Sequence, residues 1–224
     1  MHAVAVDATY RDRIYKQLRR AIIMGRRAPG ERLSVEELCQ TYGSGISPVR
    51  DALQMLGQEG LVEIKPRSGY FVASVTLKEL RDLLDLREVL EIAAVERATQ
   101  RVTERQLDEL ANVHAGYTGD DDESYDRYTD ENRRFHYLLG HASGNAELAE
   151  SLGRLHDRLA RFMVMRHAGG TQHQTHAAIV DALRARDANA AREAMLDEIN
   201  ESRQAILDRV MQGEGAGWQI TALK

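Results

Sequence analysis

Arg50 stands three residues after Ser47 in the stretch SPVRDAL, and Lys65 and Arg67 flank a proline in the later stretch KPRSG. A guanidinium in the first turn of a helix can lie on a guanine edge through two parallel hydrogen bonds, or on a phosphate. A lysine and an arginine beside a glycine turn can hold phosphates, because Gly69 lets the backbone approach closely. Arg32, in the turn RRAPGERL, joins them. The candidate polyanion contacts are Arg32, Ser47, Pro48, Arg50, Lys65, Arg67 and Gly69.

Those side chains need a frame. Ile14, Leu18, Ile22 and Ile23 recur at helical spacing over residues 9–25, and Gly25 is a stop. Ser34, with Glu37 three residues on, predicts a capping box opening a short helix through Tyr42. Ser47 as N-cap and Pro48 as first helical residue predict a third helix, ended by Gly60, with Val49, Leu53 and Leu56 as its buried stripe. Leu61–Ile64 and Tyr70–Val75 then alternate around the turn KPRSG and predict a two-stranded hairpin. Three short helices followed by a hairpin make a winged helix-turn-helix, whose third helix enters the major groove by its N-terminal turn.

After Thr76 the texture changes. TLKELRDLLDLREVLEIAAVERATQ is a long amphipathic run, with Thr76 and Glu79 placed as cap and capping-box partner. Five more helical patterns follow, the first capped by Thr103. TGDDDES reads as an acidic linker and GGTQ as a turn. No strand pattern occurs beyond Val75. The predicted fold is mainly α, with a winged helix-turn-helix domain over 1–75, an all-α bundle over 76–212 and a loose tail over 213–224.

Composition agrees. Hydrophobic residues make up 43% of the 224 and charged residues 29%, enough for a packed core. Three prolines and 5% aromatics favour long helices. Cys39 is the only cysteine, which rules out an internal disulfide and fits a reducing compartment. No run is long and apolar enough for a membrane span, and the first residues lack a signal-peptide core, so a cytoplasmic protein with no membrane partner is expected. The net charge of −5 is uneven: residues 1–75 carry +3 and the remainder −8. A basic third on an acidic body points to a polyanion partner for that third.

The ordered stretch LRRAIIMGRRAPGERLSVEELCQTYG…SPVRDALQMLGQEGLVEIKPRSGYFV resembles the N-terminal pattern of the GntR family of bacterial transcription regulators, FadR-like branch. LREVLEIAAVERA, ENRRFHYLLGHASGN and THAAIVDALRARDANAAREAMLDEI are similar to signature segments of that branch's helical ligand-sensing (FCD-type) domain. The resemblance spans nearly the whole chain. It implies a homodimeric regulator, not an enzyme, that binds a double-stranded DNA operator and answers to a small carboxylate metabolite. One departure stands out. Where relatives usually carry Val-Ser-Arg before the small residue and proline, this chain has Ser44, Gly45 and Ile46, so the arginine that often reads a base is replaced by Ile46. An altered operator or weaker base reading follows, not loss of DNA binding.

The resemblance also implies a divalent metal, Zn, Ni, Fe or Mn, in the helical domain, with Asn132, His136, His176 and Glu198 at the ligand positions. Asn and Glu there replace the usual Asp and His. Two nitrogens and two oxygens remain a competent set, and Asn132 and His136, four apart, share a helix face. His173 could substitute as a ligand, while His114, His141, His156 and His167 show no partner pattern. For the effector carboxylate, Arg87, on the apolar face of the first sensor helix, is the first candidate, with Arg134, Arg158 and Arg161 behind it. Two alternatives stand at this point: a metal-dependent helical-bundle enzyme acting on a small acid, although no HExxH, phosphate loop or nucleophile elbow occurs, and a protein-interaction module that kept the helix-turn-helix.

Overall fold

The computed structural model describes residues 2–74, 76–113, 122–163 and 169–212, with side chains within 10–74, 76–113, 127–160, 162 and 173–208. The chain is mainly α and divides between Lys78 and Glu79 into two compact units.

The first unit contains α1 (His2–Ile23), β1 (Arg32–Leu33), α2 (Val35–Tyr42), α3 (Ile46–Gln58), β2 (Val62–Lys65) and β3 (Gly69–Val72). Ile14, Leu18 and Ile22, one turn apart, are buried, as are Val49, Leu53 and Leu56 of α3, on which α1 packs. Arg19 closes the far end of that contact by bonding Glu59, just past α3, at 3.2 Å. Ser34 caps α2 by accepting the Glu37 N–H at 3.3 Å, but its hydroxyl turns to Glu36 at 3.1 Å. The helix ends on Gly43, whose φ of 59° is the left-handed conformation glycine tolerates.

Two expectations change here. The third helix begins at Ile46, with Gly45 as N-cap and no side-chain cap, so Ser47 is inside it. Pro48 is then the third helical residue, still among the positions whose N–H has no intrahelical acceptor. The hairpin is also part of a three-stranded antiparallel sheet, order β1-β3-β2, with Arg32 opposite Phe71 and Leu33 opposite Tyr70. Two residues are too short a run to show alternation, so β1 left no sequence signal.

The second unit is helical among the described residues: α4 (Leu77–Arg101), α5 (Glu104–Ala111), α6 (Asp122–Ala142), α7 (Ala146–Met163), α8 (Gly169–Arg184) and α9 (Ala188–Gln212). Thr103 and Gln106 form a full capping box on α5, and Asp187 accepts the Asn189 and Ala190 N–H groups at 3.0 Å to open α9. Asp122 and the residues after it are helical, which shortens the expected acidic linker, and GGTQ is the first turn of α8 instead of a free turn. The tail over 213–224 lies outside the described residues. Every helix contributes to one core, including Val95, Ala98, Leu107, Phe135, Leu139, Leu152, Ile179, Leu183, Met195 and Ile199. Between α6 and α7 the backbones nearly touch. A Cβ on Gly140 would sit 2.5 Å from the Ala149 Cα, so only glycine fits.

Candidate functional site

In the first unit, the exposed start of α3 presents Ile46, Ser47 and Arg50. No hydrogen bond or ion pair among the described residues ties Arg50 back to the fold, so its guanidinium can take an external acceptor. Pro48 is buried with Val49 in the seat of the helix, so its ring packs inward and is removed from the contact set. Arg67, in the turn between β2 and β3, has a φ of 65°, and Gly69, the first residue of β3, has a φ of 110°. Lys65 is anchored by Glu63 at 3.2 Å and lies 4.9 Å from the centre of the Phe71 ring. Arg32 reaches the same turn, since a Cβ on Gly69 would stand 3.8 Å from its Nε. Three cationic side chains therefore gather at one hairpin tip, and a fourth stands on the helix.

In the second unit, charged side chains sit where only apolar ones are expected. Arg87 and Glu91, one turn apart on α4, are each 0% exposed. The Arg87 guanidinium donates from Nη2 to both Glu198 oxygens at 2.7 Å, and from Nη1 to Ser202 Oγ at 2.6 Å. Its Nε lies 3.7 Å from Glu91. Glu91 Oε1 in turn is 2.7 Å from His136 Nδ1 and 2.7 Å from His156 Nε2. The His136 and His156 rings stack at 4.1 Å, and the His176 ring stacks on Phe135 at 3.8 Å.

Burial pushes the Glu91 carboxyl up, yet the adjoining His136 and His156 more than offset this and hold it well below the usual carboxylate range. Burial, with His136 beside it, pushes the His156 imidazole down to about 3 against the pull of Glu91. For Arg87 burial favours the neutral form, but Glu198 and Glu91 outweigh it and the guanidinium stays charged.

The expected ligands divide. Donor atoms of His136, His176 and Glu198 all lie within 4.8 Å of one another. Asn132 is buried with its amide nitrogen 3.2 Å from His156 Nδ1. Of the candidate arginines with described side chains, Arg87 alone is in the cluster. Arg134 and Arg158 are exposed, each two residues from a buried cluster residue and so on the opposite helix face; neither can reach a buried acid. The Arg161 side chain lies outside the described residues, as do His114 and His167. His141 and His173 are exposed.

Glu91 and His156 were missed. Both carried a signal: each interrupts an apolar stripe, Glu91 between Leu84 and Val95, and His156 between Leu152 and Leu159, and each is buried. Arg87 and Glu91 at i and i+4 on an otherwise apolar face mark a paired internal charge.

Two family profiles cover most of the chain: one described as "Bacterial regulatory proteins, gntR family" over residues 10–72, the other as "FCD domain" over residues 82–201. The chain belongs to the GntR family. Among relatives, the HTH-type transcriptional repressor RspR of Escherichia coli K12 is 29% identical over 212 residues, covering 92% of this chain and 91% of that one. The HTH-type transcriptional repressor GlaR of the same strain is 31% identical over 194 residues, covering 81% and 88%. In structure the chain resembles E. coli McbR/YncC with a TM-score of 0.71 at 22% identity, over 90% of this chain and 98% of that one; this likeness concerns the fold. A GntR-family chain with a winged unit and an FCD domain is a DNA-binding transcription regulator. No described helix is long and apolar enough to cross a membrane.

Proposed function

We propose that this regulator works in the cytoplasm as a homodimeric repressor, and that a small carboxylate metabolite bound in the helical unit controls its hold on operator DNA. Two half-sites about a helical turn apart suit two winged units. The names of RspR and GlaR support repression. The observation that carries the effector reading is the buried cluster itself. A guanidinium, two carboxylates and three imidazoles, each no more than 5% exposed, occupy one apolar core. Replacing such a group by apolar side chains is often neutral or stabilising, so stability alone gives little reason to keep it. Perturbed, buried ionisable groups gather where a ligand is handled.

The donors fit a divalent ion. His136 Nε2 is buried without a hydrogen-bond partner and lies 4.0 Å from Glu198 Oε1. His136, His176 and Glu198 would hold the ion, with Glu198 shared between it and Arg87. A divalent cation held there would supply the positive charge and Lewis acidity to attract a carboxylate oxygen. Arg87, whose Nη1 and Nη2 already bond Ser202 and Glu198, contributes by holding the Glu198 carboxylate in place and by its positive charge. The acid controls the protein only through its differential affinity for the two DNA-binding states.

The test is metal analysis of the purified protein, then thermal melting against hydroxy acids, sugar acids, dicarboxylates and amino acids, before and after chelation. The proposal expects up to one ion per chain, a melting shift with at least one acid, and loss of that shift on chelation. A metal-free protein with an undiminished acid response would remove the ion from the account. No response to any acid would remove the effector.

A further inference from the structure

Ile46 is the first residue of α3 and is 55% exposed, an unusual place for a large aliphatic side chain on a polar surface. Its neighbours Ser47 and Arg50 are exposed too, while Pro48 and Val49 are buried, so the residues that α3 offers outward at its start are an isoleucine, a serine and an arginine. The loop before it is bare: a Cβ added to Gly43 or to Gly45 would meet nothing within 4 Å. Nothing large therefore shields Ile46, and a nucleic-acid backbone can come close to the Gly43–Gly45 turn.

An aliphatic side chain has no donor or acceptor for the guanine or adenine edge. The one apolar feature that duplex DNA shows in its major groove is the C5-methyl of thymine. We infer that Ile46 is a specificity-determining residue that packs on a thymine methyl in each operator half-site, next to the base pair or phosphate engaged by Arg50. The contact is continuous with the face of α3 that faces the groove, and the inference rests on that placement of α3. Its readout differs in kind from that of an arginine. It selects a methyl group, it is insensitive to salt, and it is lost when the methyl alone is removed.

The experiment begins with the full-length protein and a pool of random duplexes, from which bound sequences are selected and a consensus duplex made. Each thymine of that duplex is replaced singly by deoxyuridine, and binding is followed by fluorescence anisotropy. One thymine per half-site should weaken binding about fourfold when it loses its methyl, the effect of one methyl-sized group leaving an apolar contact. Ile46→Ala should bind the thymine and deoxyuridine duplexes equally, Ile46→Val should retain part of the preference, and Ile46→Arg should move the selected base from thymine to guanine. Ile46 is exposed, and unchanged melting temperatures would show that the variants fold. If no thymine is methyl-sensitive, or if the sensitivity survives in Ile46→Ala, the inference is overturned. Failure of the wild-type protein to select any sequence would instead overturn the placement of α3 in the groove, so the two failures are distinct.

Discussion

Removing the Arg87 guanidinium strands two carboxylates in an apolar core. In Arg87→Ala, Glu198 loses both 2.7 Å bonds and Glu91 loses its cation 3.7 Å away, with Glu198 at 5% exposure and Glu91 at 0%. Breaking one side of a buried pair destabilises by about 3–5 kcal/mol, because the remaining charge is left uncompensated. A domain of this size shifts its melting temperature by roughly 2–4 °C per kcal/mol, so a loss on the order of 10 °C is expected. Removing both partners with side chains of similar volume, as in Arg87→Met with Glu198→Leu, removes the stranded charge at Glu198. Glu91 keeps its two imidazole contacts, and the double variant should recover most of the loss. Urea unfolding of the wild type, Arg87→Met, Glu198→Leu and the double variant closes the cycle, with Arg87→Ala measured beside it. If Arg87→Ala loses less than about 1 kcal/mol, or the double variant is no better than it, the pair is not the internal ion pair described here.

Further outcomes follow from the same geometry. Arg50→Ala should weaken binding to the selected duplex by about 1–3 kcal/mol without lowering the melting temperature, since Arg50 is exposed, as anisotropy and calorimetry would show. Arg32→Ala, Lys65→Ala and Arg67→Ala should each weaken binding to all duplexes alike, and each should reduce the slope of log affinity against log salt by about one. Gly140→Ala should destabilise the helical unit by about 1–3 kcal/mol, because the new Cβ would collide with the Ala149 backbone; denaturant unfolding would read this. A His136→Ala, His176→Ala double variant should lose the bound ion on elemental analysis and with it the melting response to acids.

How much of this was legible in the sequence depended on the length of the pattern. The helices of both units declared themselves through apolar spacing, because 3.6-residue periodicity accumulates over several turns. The start of α3 was misplaced: Ser47 is a favoured cap and Pro48 a favoured first residue, yet Gly45 supplies the extended backbone of the cap and Pro48 is the third helical residue. Strand β1 was invisible, being defined by its partner Phe71 and not by its own two residues. Of the buried cluster, Arg87, Asn132, His136, His176 and Glu198 were reached, mostly through family resemblance. Glu91 and His156 were passed over because periodicity arguments sort residues by polarity and have no category for a paired charge inside the stripe. Arg134 and Arg158 failed on helix phase, a check that needed only counting two residues from His136 and His156.

The most direct measurement holds a labelled consensus duplex with the full-length protein and titrates a panel of hydroxy, sugar, dicarboxylic and amino acids while anisotropy is recorded. At least one acid is expected to change duplex affinity fivefold or more, and the change should vanish in the Arg87→Met, Glu198→Leu variant while that variant still binds the duplex. Affinity that stays constant across the panel, or a response that persists unchanged in that variant, would contradict the claim that a small acid governs operator binding through the buried cluster.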